Sequence, residues 1–169
     1  MKIKFILLSI LFMFSCDDSS LNSNNDSELS GLFFVPEEVQ INLGQSFQLE
    51  LAINQPYLSI FGISFALEFN PELISFSDED DLTLGSLLPE ESIQFIHKDM
   101  NTIHVTLSLL QGQDEIVANG SLCSFEFIGI QSGITQLSII PDFISLYNSS
   151  GNTIQNESIE LSSSQIEIN

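Results

Sequence analysis

The sequence has almost no bases. Its 169 residues hold three Lys and no Arg against 23 acidic residues, for a formal charge of −20. Lys2 and Lys4 fall within the first five residues, so the rest of the chain has Lys98 alone. Such a surface repels nucleic acid and anionic lipid, and it excludes nucleic acid as a partner. It favours cations, basic partners or a salty medium, where charges are screened beyond about 8–10 Å.

Trp is absent and Tyr57 and Tyr147 are the only tyrosines. That leaves little for the flat aromatic strips with which many β-sandwiches hold polysaccharides, although a polar groove stays open to a glycan. There are two cysteines, Cys16 and Cys123, in such different contexts that no disulfide is expected between them. His97 and His104 are the only histidines, and no His-Xaa-Xaa-Xaa-His, paired-cysteine or Gly-Xaa-Ser-Xaa-Gly spacing occurs. An enzyme needs positioned acids, bases or nucleophiles. Neither catalysis nor a cofactor is expected here.

Hydrophobic residues make up 43% of the chain, too many for a disordered one. The first 15 residues read as a lipoprotein signal peptide. Lys2 and Lys4 form its positive end, and Phe5 to Phe14 is an apolar stretch too short to span a bilayer. Ser15-Cys16 then places a small residue before a cysteine, with Met13 and Phe14 at positions where such signals prefer Leu and a small residue. Cys16 is therefore expected to carry the lipid, and more than one acyl chain holds a protein stably on a membrane. Residues 16–30 are rich in Ser, Asn and acids and read as a tether. A flexible segment of this length averages about 20 Å end to end. The expected location is an outer membrane or the cell surface.

Residues 31–169 read as one domain. Phe47, Leu49, Leu51 and Ile53 alternate with Gln48, Glu50 and Ala52, and Ile63, Phe65, Leu67 and Phe69 alternate with Ser64, Ala66 and Glu68. Ile103, Val105, Leu107 and Leu109 repeat the pattern, as do Cys123, Phe125 and Phe127. A period of two marks strands with one face buried. Asn70-Pro71 breaks the second run, because Pro has no donor and restricts the residue before it. Ile93 and Phe95 form a short strand and 111–120 a loop. No helix-period stretch of useful length appears. Nine or ten short strands with turn signals at regular spacing predict an all-β sandwich.

Ser77-Asp78-Glu79-Asp80-Asp81 is an acidic run. Counting from Asp78 in the EF-hand pattern, Leu82 stands where a ligand should be and Thr83 where a glycine is needed. It reads as a solvated loop, and no metal site is assigned.

The run Gly62-Ile-Ser-Phe-Ala-Leu-Glu-Phe-Asn-Pro-Glu-Leu-Ile-Ser-Phe76, trailed by Gly85-Ser86-Leu87-Leu88, resembles the cohesin family. Asn119-Gly120-Ser121-Leu122 leading into Phe125-Glu126-Phe127, and Gly133-Ile134-Thr135-Gln136-Leu137, extend the resemblance over most of 31–169. Cohesins usually carry Asp where Asn70 stands. The resemblance implies a nine-stranded jelly-roll β-sandwich and a module that binds dockerins without catalysis; with nothing after the last strand, no dockerin, second cohesin or catalytic module is expected in this sequence.

It also implies a binding face on the third, fifth, sixth and eighth strands. By alternation the outward positions are Ser64, Ala66 and Glu68 on the third, and Gln94 and Ile96 on the fifth. On the sixth they are His104, Thr106 and Ser108, continuing into Leu110 and Gln111, and on the eighth Ile134, Gln136, Ser138 and Ile140. Small, polar and scattered apolar side chains suit an interface with an apolar centre and a hydrogen-bonding rim. Several cohesins place on the third strand an Asp that bonds a dockerin Ser or Thr, and Ser64 stands at that place. The sequence thus points to a lipid-anchored module with a protein partner, for which the resemblance implies a dockerin-bearing protein. Its rivals are a surface glycan-binding lipoprotein, with a polysaccharide ligand, and a structural or adhesive envelope module.

Overall fold

The structure, a computed structural model, describes residues 30–76, 82–155 and 159–169. The signal segment 1–15, Cys16, the tether to residue 29, the acidic run at 77–81 and residues 156–158 lie outside the described residues.

The described chain is built of strands. They are β1 (Gly31–Val35), β2 (Glu38–Ile41), β3 (Ser46–Ile60), β4 (Gly62–Glu68), β5 (Ile74–Ser75), β6 (Leu82–Leu84) and β7 (Ile93–Asp99). They continue with β8 (Thr102–Ser108), β9 (Ile116–Gly129), β10 (Gly133–Ile139), β11 (Ser145–Tyr147), β12 (Thr153–Ile154), β13 (Glu160–Leu161) and β14 (Ser164–Ile168). Nine of these segments have four or more residues and form the frame of the sandwich; the other five have two or three.

The strands make two sheets. The back sheet runs β13-β1-β3-β9-β5, with β6 also paired to β9. The front sheet runs β12-β11-β4-β10-β14-β2, and β8 pairs with β4 and carries β7 at the edge. One margin of β4 is shared: Gly62 to Ser64 pair with β11, and Leu67 and Glu68 pair with β10.

Alternation decides the core. Ile63, Phe65 and Leu67 from β4 meet Leu49, Leu51, Phe125 and Phe127 from the back sheet, all buried. Phe rings bridge the layers: Phe65 lies edge-on to Phe125 at 6.4 Å, and Phe69 lies 6.0 Å from Phe127. Phe76 packs against both Phe125 and Phe127. Aromatic pairs at these separations add about 0.5–1.5 kcal/mol beyond their area.

The corner at Asn70-Pro71 has a specific chemistry. The Asn70 side-chain oxygen accepts the Glu72 N–H at 2.9 Å, and its carbonyl accepts the Leu73 and Ile74 N–H groups. An Asx turn needs only a side-chain carbonyl oxygen, so the amide serves here as a carboxylate would.

The loop expected over 111–120 is shorter. Ile116 to Gly120 belong to β9, where they pair with residues from Ile53 to Ile60 of β3. A register shift after Leu51 lets Leu122 and Cys123 both turn inward. Cys123 is fully buried and free. Burial, with a smaller contribution from Glu50, raises its thiol pKa well above the ordinary value, which suits an inert core thiol.

Candidate docking face

The front sheet presents an outer face on β7, β8, β4 and β10. β8 and β4 are in full antiparallel register, with Ser64 opposite Thr106, Ala66 opposite His104 and Glu68 opposite Thr102. Directly opposed residues share a face. The Ser64 and Thr106 hydroxyls lie 2.9 Å apart and hydrogen-bond across the strands. Glu68 is exposed and accepts a bond from the Asn101 side-chain amide at 3.0 Å. On β10, Ile134 and Gln136 are exposed and Ser138 stands opposite Glu68. Leu110 and Gln111 follow β8 and are exposed. Ile140, just past β10, is half-buried and donates its N–H to the Ala66 carbonyl.

Two positions on this face differ from expectation. The first is the fifth-strand element, β7. Ile96 is only 6% exposed and packs in the core, while Ile93 and Phe95 are 53% and 62% exposed. Pairing with β8 explains this: Ile96 stands opposite buried Val105, whereas Phe95 stands opposite Thr106 and His97 opposite His104. Gln94 shares the side of Ile96 and stays exposed at the open edge. The outward residues of β7 are therefore Ile93, Phe95 and His97. The tight Met100-Asn101 connection, with Met100 at φ 47°, pairs Asp99 with Thr102 and so sets the register of every residue behind it.

The second is Ala66. It faces outward by alternation but has no exposed surface. A 3-10 turn at Pro141–Phe143 follows β10 and packs on β4. The Phe143 ring lies 5.4 Å from the ring of His104, the residue opposite Ala66, in a T-shaped arrangement. His104 in turn stacks with His97 at 6.4 Å. Phe143 is half-exposed, and nothing in its local sequence marks it as part of this face.

Lys98, on the inner side of β7, donates to the Phe76 carbonyl at 2.5 Å and lies 5.9 Å from the Phe69 ring centroid. Its charge is thus drawn toward the core margin, away from the outer face. Among the described residues no group of three His, Cys, Asp or Glu is placed to hold a metal ion.

No family model and no curated protein matches the sequence. Solved structures do match, cohesins among them. The domain has the cohesin fold. A non-cellulosomal cohesin from the archaeon Archaeoglobus fulgidus is 19% identical with a TM-score of 0.61, over 82% of this chain and 89% of that one. A cohesin module of a family 33 glycoside hydrolase from Clostridium perfringens is 18% identical with a TM-score of 0.63, over 83% and 98%. The third cohesin of ScaC from Acetivibrio cellulolyticus, solved in complex with the ScaB dockerin, is 15% identical with a TM-score of 0.64, over 81% and 96%. At these identities the likeness is one of fold. It agrees with the expected jelly-roll β-sandwich.

Proposed function

We propose that the β-sandwich is a non-catalytic docking module that binds a dockerin-bearing protein through the outer face of β7, β8, β4 and β10. The observation that carries this reading is the composition of that face. Phe95, Ile93 and Ile134 project from it beside the short side chains of Ser64, Thr106 and Ser108. Short side chains let another backbone approach, and an exposed aromatic beside aliphatics offers a desolvated anchor of the kind that dominates interface energies. Dockerin complexes among the cohesins of like fold support the choice of partner. Exposed Glu68 and Asp99 at the margin favour a partner with basic residues, and should quicken encounter at low salt.

The module is held at an outer membrane or cell surface by lipid on Cys16. The basic start, the short apolar stretch, Ser15-Cys16 and the polar tether support this.

Calorimetry of the full chain with dockerin modules encoded by the same genome tests the docking reading. Binding is expected for at least one, with Phe95→Arg weakening it by about tenfold or more, equal to about 1.4 kcal/mol. Gln48→Arg, on the back sheet, should leave it intact. If no such dockerin binds, or Phe95→Arg binds as wild type, this face is not a dockerin interface.

A further inference from the structure

At the end of the front sheet where β4 begins lies a cleft of about 670 Å³. That volume is within the range of small-molecule sites. Its floor is Phe61, Gly62 and the last residues of β8, and its walls are the loop at 111–114 and the turn at 147–151. Gly62 lets β4 approach β8 closely in that floor, since a Cβ there would come within 2.9 Å of the Leu107 carbonyl oxygen.

Hydrogen bonds brace the walls. In one wall the Leu110 N–H donates to the Gln113 side-chain oxygen at 2.7 Å, and the Gln113 N–H donates to the Leu110 carbonyl at 3.1 Å. In the other, the Asn148 side-chain oxygen accepts from the N–H groups of Ser150 and Asn152. Glu115 ties wall to wall by accepting the Ser149 N–H at 2.7 Å. Preformed walls lose little entropy when a ligand enters.

This bracing has a chemical consequence. The amide oxygens of Gln113 and Asn148 accept from the backbone, which leaves the NH₂ group of each amide as the donor it can offer a ligand. Asp114 supplies a carboxylate acceptor and Ser149 and Ser150 supply hydroxyls, while Phe61 and Tyr147 add aromatic surface. Among the described residues no Lys or Arg lines the cleft. An anion would meet a carboxylate with no compensating cation, and a purely apolar ligand would leave the amides and the carboxylate unpaired. A polyhydroxylated neutral molecule satisfies all of them: paired hydroxyls donate to Asp114, oxygens accept from the amides, and the C–H face packs on an aromatic ring.

We infer that this cleft binds a neutral saccharide, one or two sugar units of a glycan chain. The inference stands apart from docking. The cleft shares Thr106, Ser108 and Gln111 with the outer face, but Gln113, Asp114, Tyr147 and Asn148 lie beyond it.

The test is isothermal titration and amide chemical-shift mapping of the full chain with cellobiose, maltose, lactose and mannobiose, with sialyllactose as the anionic control. At least one neutral disaccharide should bind with a Kd of about 1 mM or tighter, corresponding to about −4 kcal/mol. Its shifts should map to 111–114 and 147–151. Asp114→Asn and Tyr147→Ala should each weaken binding about tenfold, with unchanged melting temperature checking the fold. Asp114 is on an exposed loop, so its variant reports even if Tyr147→Ala unfolds the domain. Ile134→Arg, on the docking face at β10 and away from every residue lining the cleft, should leave sugar binding untouched, which separates this result from the docking one. Absence of binding by all four neutral sugars at about 10 mM, far above that expected Kd, would overturn the inference. So would shifts that map elsewhere, equal binding of sialyllactose, or binding that survives Asp114→Asn unchanged.

Discussion

Phe95 on β7 stands directly opposite Thr106 on β8, and its neighbour Ile96 stands opposite Val105. The first pair faces out and the second faces the core. Ile96→Ala should therefore destabilise the domain by about 2–5 kcal/mol, the usual cost of a truncated core aliphatic. Phe95→Ala should stay within about 0.5 kcal/mol, as surface changes do. Chemical denaturation of both variants checks the pair. Equal losses would contradict the register of β7.

Ala66 has no exposed surface; it stands opposite His104, whose ring packs with that of Phe143. Ala66→Arg should cost more than about 2 kcal/mol, because the side chain must displace its neighbours or bury a charge. Ala66→Ser should be mild by comparison. Thermal melts distinguish them, and an Ala66→Arg variant as stable as wild type would show that those neighbours move aside freely.

Glu115 links the two walls of the cleft, and the Ser149 N–H holds its carboxyl below the usual pKa. A depressed folded-state pKa stabilises the fold only where the carboxylate is ionised. The contribution is present above the unfolded value and is lost as pH falls through the folded one. The Ser149 amide proton shift should accordingly titrate at acid pH, below the usual glutamate range. Glu115→Gln should abolish that titration. An unchanged titration would mean another acid is responsible.

Burial and Glu50 push the Cys123 thiol up. Native protein should label very slowly with a thiol reagent at Cys123 and rapidly once denatured, because the thiolate is the reactive form. Mass spectrometry with and without denaturant reads this. Fast native labelling at neutral pH would show that the core around β9 opens readily.

If Cys16 carries the lipid, Cys16→Ala should move the protein from the membrane fraction to the soluble one without altering its melting temperature. Intact mass of the mature wild type should include acyl chains on Cys16. A mature chain with an unmodified Cys16 would refute anchoring through this residue.

Much of the sandwich can be read along the chain. The alternating runs at 47–53, 63–69, 103–109 and 123–127 place Leu49, Phe65, Val105 and Phe125 inside, and all are buried. Period-two patterning is a local property: successive side chains on a strand point to opposite faces, so burying one face writes itself into every second residue. Asn70-Pro71 is legible for the same reason, since a turn is made of its own residues. β7 is not. Ile93, Phe95 and Ile96 offer apolar residues to both faces, and only pairing with β8 through the Met100-Asn101 turn chooses between them. The buried position of Ala66 goes with the packing of the distant Pro141–Phe143 turn on β4, and Glu115 reaches Ser149 at the cleft across 34 residues. Such contacts leave no period in the sequence. They exist only where the closed sandwich brings separate loops and strand ends to one place.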